Sequence, residues 1–224
     1  AARRVAASEG IEVRLFRNTT DGKGASYGHH ENFLLRRSTP FDRVLATLPA
    51  FLVSRVALFG AGRVGLGPAG ERPGFQISQR ADFFERVSGL DTTRRRGIVN
   101  TRDEPLASRE WRRLHIIISD ANRSPWAAWL RLGATSLALA ALEADALATI
   151  TLADPVAALR TVSRDLTLRH PLDLADGSAA TALDLQRRFL NDCAAVPLPA
   201  WGSEVLDSWS DLLDDLASDP FSTT

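Results

Sequence analysis

The chain has 224 residues, 45% of them hydrophobic and 24% charged, with 27 basic residues balanced by 27 acidic ones. That is enough for one domain with a buried core, and it excludes a disulfide-stapled miniprotein or a disordered tail. A formal net charge of zero excludes a general binder of nucleic acid or anionic membrane, which needs an excess of Lys and Arg, although local basic clusters can still hold phosphate.

Cys193 is the only cysteine and Lys23 the only lysine. No intrachain disulfide and no cysteine-rich zinc or iron–sulfur site can form, so a cytoplasmic protein is expected. The longest nearly apolar stretch, Ala134 to Leu142, is far shorter than the roughly 20 residues of a membrane span. Ala1-Ala2-Arg3-Arg4 leads into charge and not into an apolar segment, so no signal peptide is expected. The chain has no methionine, and a fragment that begins inside a helix is expected.

The first residues read as a helix end, and Ile11 to Arg17 alternates apolar and polar residues as a half-buried strand does. Asn18 to Gly28 is a glycine-punctuated loop. A second strand is expected over His29 to Arg37, with His30, Asn32 and Leu34 on one face and Glu31, Phe33 and Leu35 on the other. Pro40 opens a helix through Phe41, Val44, Leu45, Leu48, Phe51, Leu52 and Arg55, which Pro49 is expected to distort. Gly60 to Gly74 reads as a turn-rich excursion, followed by a short strand from Phe75 to Gln79. Trp111 to Ile118 is the strongest strand candidate and ends at Ser119-Asp120-Ala121-Asn122. Pro125 begins an apolar helix to about Glu143. Pro155 to Arg164, Thr181 to Cys193 and Trp201 to Leu216 follow as helices without a chemical motif. Strands and helices mix without regular βαβ alternation, which predicts an α+β fold with an antiparallel or mixed sheet.

Gly60-Ala61-Gly62-Arg63-Val64-Gly65 has the spacing of a dinucleotide fingerprint, but Leu66-Gly67-Pro68-Ala69-Gly70 cannot start the helix that such a motif needs, so the run reads as a loop. Neither a P-loop nor a serine-hydrolase elbow is present. His30 ends the glycine loop beside Glu31 and Asn32, and His115 lies among aliphatic residues ahead of Asp120 and Asn122. Singly, each reads as a core histidine; paired, with carboxylates nearby, they would suit a divalent cation, although magnesium prefers oxygen. Asn100-Thr101-Arg102-Asp103-Glu104-Pro105 reads either as a turn with solvated charges or as a guanidinium held by carboxylates to meet a phosphoryl group. Arg94-Arg95-Arg96 reads as a solvated basic patch.

Taken in order, Asp21 to Phe33, Pro49-Ala50-Phe51-Leu52-Val53-Ser54-Arg55, Gly74-Phe75-Gln76-Ile77-Ser78-Gln79-Arg80, Asn100 to Pro105, and Arg112 to Asn122 resemble the Pup-processing family. Pup is the prokaryotic ubiquitin-like protein, and the family comprises the Pup deamidase/depupylase and the Pup ligase. The resemblance is dense from about Ile11 to Glu143. The loops Asp21 to Gly28 and Gly62 to Pro68, with Gly89-Leu90-Asp91-Thr92-Thr93, are similar to the hydrolase branch. The resemblance implies one incomplete glutamine synthetase-like domain over residues 1–224, sheet-rich over about 11–122 and helical over about 124–217. In such a domain a curved antiparallel or mixed sheet with flanking helices cradles ATP and magnesium. It implies deamidation of the C-terminal glutamine of Pup and cleavage of the bond between Pup and a substrate lysine. Pup, pupylated proteins and, indirectly, the bacterial proteasome are the implied partners, with neither nucleic acid nor a membrane. By position, His30 and His115 are the implied metal-site histidines, Asn32 a nucleotide contact and Arg102 a phosphate-facing group. The catalytic acidic segment is expected before Ala1, which would leave the chain alone inactive. Two positions depart from the pattern: Leu106 stands where a histidine is usual, and Ser119 where a glycine is usual.

Overall fold

The protein is described by a computed structural model covering residues 2–14, 18–21, 25–65, 73–92, 95–104 and 106–221. In chain order its elements are α1 (Ala2–Ser8), β1 (Glu31–Arg36), α2 (Phe41–Ser54), α3 (Val56–Phe59), β2 (Arg63–Gly65), β3 (Gly74–Gln76), a 3-10 turn (Ala81–Phe83), β4 (Phe84–Gly89), β5 (Arg96–Asn100) and β6 (Trp111–Ile116). They continue as α4 (Pro125–Glu143), α5 (Pro155–Arg164), β7 (Leu172–Asp173), β8 (Ala179–Ala180), α6 (Ala182–Ala194) and α7 (Gly202–Ser218).

Four strands form the main sheet in the order β1-β6-β5-β4. β1 and β5 both run antiparallel to β6, while β4 runs parallel to β5, so the sheet is mixed. Along β1, Glu31 and Leu35 are buried while Asn32 and Leu34 are exposed, the alternation that a sheet with one covered face requires. The covered face packs on helices: Leu114 and Ile116 of β6 and Val99 of β5, the partner of Ile116, join Val44, Leu48, Phe51 and Leu52 of α2 in one core. β4 and β5 are strands that the sequence pattern does not announce. Every residue of β5 is buried, which removes the polar alternation that marks a half-buried strand. A β-carbon on Gly97 would come within 2.6 Å of the Gly89 nitrogen and the Ser88 carbonyl carbon, so only glycine lets the parallel pair approach.

The first strand expected from the sequence is absent where it can be seen. Ile11 to Arg14 is irregular, with Ile11 exposed and Val13 only half-buried, so the alternation there builds no strand; Leu15, Phe16 and Arg17 lie outside the described residues. The glycine excursion carries a hairpin, with Arg63 opposite Gln76 and Gly65 opposite Gly74, and the strand placed at Phe75 to Gln79 begins and ends earlier. Residues 66–72 lie outside the described residues. The chain here runs from helix α3 through Gly60 into strand β2, the reverse of the strand-to-helix turn of a dinucleotide fingerprint. Asp82, whose side chain is fully buried, ties the hairpin down: it accepts from Gln76 Nε2 (2.9 Å) on β3, from Arg164 Nη2 (2.7 Å) on α5 and from Arg63 Nη2 on β2.

α2 continues past Pro49 to Ser54. An interior proline costs about 3 kcal/mol, whereas Val44, Leu48, Phe51 and Leu52 are all fully buried and each contributes about 1.5–3 kcal/mol; packing therefore overrides the breaker. α4 has the bounds that its sequence predicts, with Ser124 accepting from the Ala127 N–H and Pro125 in the first turn. α6 starts on a reciprocal capping box between Thr181 and Asp184. Phe51 meets Phe189 of α6 and Trp209 of α7 edge-on, at centroid distances of 5.5 and 6.1 Å. Cys193 is fully buried on α6, and burial, with Asp192 adding to it, pushes the thiol up to about 12. The short β7–β8 hairpin lies between α5 and α6, in the gap between two helices expected from the sequence. Among the described residues no helix is long and apolar enough to cross a membrane.

Candidate functional site

β1 starts on a buried ionic anchor. Glu31 contacts Arg55 Nη1 at 3.2 Å and Arg131 Nε at 2.9 Å, with all three side chains 4% exposed or less. Arg55 also donates to Thr135 Oγ1 (2.5 Å) and Ser119 Oγ (2.6 Å). Ser119 thus completes a network that a glycine there would leave open. Arg131 donates to the Asp120 carbonyl (2.8 Å) and to Asn122 Oδ1, and lies 2.8 Å from His29 Nε2. Asp120 accepts from the Ala61 N–H (3.0 Å), the Gln79 N–H (2.8 Å) and the Ser78 hydroxyl (3.3 Å). One polar layer therefore joins α2, α4, the segment after β6 and the turn before the hairpin beneath the first residues of β1.

Above it, on the face of the sheet opposite the helical core, the structure brings the sequence-predicted residues together. Asn32 is the cross-strand partner of His115, and His115 the partner of Asn100. The His30 and His115 rings lie 4.8 Å apart, centre to centre, with His30 Nδ1 3.0 Å from His115 Nε2. A β-carbon on Gly28 would fall 2.4 Å from His30 Nε2, so the loop passes directly over that edge of the ring. Burial first, then Arg80, Arg113, Arg102 and Arg96, lowers the pKa of His30. Burial, then His30, Arg113 and Arg102, brings that of His115 to about 4. Both imidazoles are neutral at pH 7 and sit in a field of guanidinium groups.

The arginines differ in how firmly they are braced. Arg80 is buried, donates to the Ile117 and Ser119 carbonyls, and stacks over Phe84. Arg96 is buried too, donating to the Thr92 (2.7 Å) and Ser26 (3.2 Å) carbonyls over the Phe83 ring; this corrects its reading as part of a solvated patch, because β5 carries it inward. Asp103 and Glu104 do not hold Arg102. Asp103 is bidentate to Arg37 (2.7 and 3.3 Å) and Glu104 pairs with Arg113 (3.2 Å). Arg102 is instead fixed by its backbone, whose N–H donates to Asn100 Oδ1 at 3.0 Å, and its side chain is exposed. Leu106 is fully exposed. The sequence reading passed over Arg80 and the orienting amide of Asn100; a polar residue closing an otherwise apolar strand was the available signal.

For a divalent cation the donor set is partial. Among the described residues no group of three or more His, Cys, Asp and Glu side chains converges on one point. The pair offers neutral nitrogens among cationic groups, which suits phosphate directly and magnesium only with oxygen ligands from elsewhere.

The whole chain, residues 1–224, matches the family described as Pup-ligase protein. It is 50% identical over 228 residues to the Pup deamidase/depupylase of Mycolicibacterium smegmatis, a match covering 98% of this chain and 46% of that relative. The solved structure of the Pup ligase PafA in complex with ADP superposes with a TM-score of 0.81 at 38% identity, over 99% of this chain and 51% of that one. The complex between Pup and its ligase PafA gives the same TM-score at 37% identity, over 99% and 47%. The chain spans about half the length of each of these proteins. Since the match takes in every residue, and the mixed sheet with its flanking helices is the architecture of the solved ligases, the chain belongs to the Pup-ligase family.

Proposed function

We propose that this chain forms the nucleotide-facing part of an ATP- and magnesium-dependent amide hydrolase that deamidates the C-terminal glutamine of Pup and cleaves the bond between Pup and a substrate lysine. The observation that carries this reading is the neutral His30–His115 pair, set beside Asn32 on one sheet face and ringed by Arg80, Arg96, Arg102 and Arg113. Such a surface binds a polyphosphate. Guanidinium groups neutralise it, and Arg102, whose side chain has no fixed partner among the described residues, reaches it. In this reading Arg80 and Arg96, held by backbone carbonyls, supply a fixed positive field that costs no reorganisation when charge develops, and Asn32 contacts the nucleotide. His30 and His115 would hold magnesium together with phosphate oxygens and carboxylates from outside the described residues. Magnesium, when bound, supplies Lewis-acid stabilisation of oxygen charge.

The relative named a deamidase/depupylase supports the hydrolase branch. The structural match to ligases favours a second reading, attachment of Pup to lysines. With full-length protein and ATP, release of ammonia from Pup ending in glutamine marks the first reading, and transfer of Pup ending in glutamate to a lysine marks the second.

Replacing His30 or His115 with Ala in the full-length protein is expected to weaken magnesium-ATP binding by about tenfold or more and to leave thermal unfolding nearly unchanged. Isothermal titration checks this. Unchanged affinity would make the replaced residue a core histidine.

A further inference from the structure

The side-chain amide of Asn100 can be oriented without reference to either histidine. Its nitrogen lies 3.2 Å from the Leu90 carbonyl and 3.3 Å from the Asp91 carbonyl, both of which can only accept. Its oxygen lies 3.0 Å from the Arg102 N–H, which can only donate. Three independent partners therefore fix which end is which. The same oxygen faces His115 Nδ1 at 3.2 Å, so that ring nitrogen must carry the hydrogen. Nε2 of the neutral ring then carries the lone pair, turned toward His30, whose Nδ1 donates to it across 3.0 Å. The side chain of Asn100 is buried at the end of β5, between its strand neighbours Gly89 and His115, so water does not compete for these bonds.

We infer that Asn100 is the positioning residue of this site: one buried amide sets the tautomer of His115 and, through the Arg102 backbone, the place of the exposed guanidinium. A ring held by an oxygen at Nδ1 presents Nε2 as its electron-pair donor, the arrangement in which an outer hydrogen-bond acceptor orients a metal-binding imidazole. A cation would reach Nε2 in exchange for the His30 N–H, with no rotation of the His115 ring. The geometric part of this inference stands on the hydrogen bonds alone, whereas its consequence for ligand binding rests on the nucleotide reading above.

The test uses full-length protein labelled with 15N in its histidine rings, the His115 signals being assigned by their loss in His115→Gln. Wild-type protein is expected to show Nδ1 protonated and Nε2 bare. Asn100→Ala is expected to return the ring toward the Nε2–H form that imidazole prefers in water. It should also weaken magnesium-ADP binding by about 10–100-fold. Asn100→Asp, which keeps an acceptor for Nδ1 but loses both donors to Leu90 and Asp91, is expected to preserve the tautomer. A wild-type ring protonated at Nε2 overturns the inference and needs no variant, so misfolding of Asn100→Ala cannot shield it. If the tautomer is as stated and shifts in Asn100→Ala while nucleotide affinity stays the same, the positioning of His115 is upheld and the nucleotide reading fails.

Discussion

Glu31→Ala is expected to lower the stability of the full-length protein by about 3–5 kcal/mol, the cost of leaving a buried charge without its partner. The loss follows from arithmetic on two arginines. Arg55 and Arg131 are nearly inaccessible, and both approach the one carboxylate; without it, two guanidinium groups share a dry interior. Urea denaturation checks the magnitude, and a change below 1 kcal/mol would show that water enters the layer. Protonation acts in the same direction. Burial pushes the Glu31 carboxyl up, but Arg55 and Arg131, with hydrogen bonds from Ser119 and Arg55, bring it below the ordinary carboxylate range. A depressed carboxylate stabilises the fold above its unfolded value, and that contribution is lost as the pH falls through the folded value. Asp120 opposes this, since burial leaves its carboxyl above the usual range despite the Ala61 and Gln79 N–H donors and Arg80. Glu31→Gln is therefore expected to flatten the acid limb of the stability profile.

Asp82→Ala is expected to cost a similar amount, about 3–5 kcal/mol by the same mechanism, with a local signature that Glu31→Ala lacks. Asp82 gathers Gln76, Arg164 and Arg63, and the side chains of Asp82 and Arg63 are 0% and 6% exposed. Burial raises the Asp82 carboxyl, but the bonds from Gln76 and Arg164 and the charges of Arg164 and Arg63 bring it below its ordinary range. Removing it takes away the bonds that join Arg63 and Gln76 to Arg164 and leaves the hairpin held to α5 through Ser163, whose hydroxyl donates to Gln76 Oε1 at 3.3 Å. Amide hydrogen exchange is expected to accelerate at Arg63 to Gly65 and Gly74 to Gln76 by more than global unfolding accounts for. Exchange that rises uniformly over the chain would show that the hairpin needs no such tie.

Much of this was legible in the sequence because the signals were local. The starts of α4 and α5, each opened by a proline behind a capping residue, follow from chemistry within one turn. The sharing of one sheet face by Asn32 and His115 required a strand pairing, and the ordered motifs of the family resemblance supplied what periodicity could not. The misses around the site turn on the tertiary fold. β5 reads as no strand because burial on both sides erases alternation, and Arg96 reads as solvated because the carbonyls that receive it belong to Thr92 and Ser26. Asp103 was matched to its neighbour Arg102, but Arg37 arrives from the end of β1, 66 residues away in sequence.

The chain holds a single sulfur atom, since it has one cysteine and no methionine. Cys193 sits on α6, which packs on α2, α4 and α7, and its thiol resists ionisation as well as access. An alkylating reagent can meet it only when that helical layer parts. The pace of alkylation therefore counts breathing events of the helical half against a silent background, a clock built into the unmodified chain.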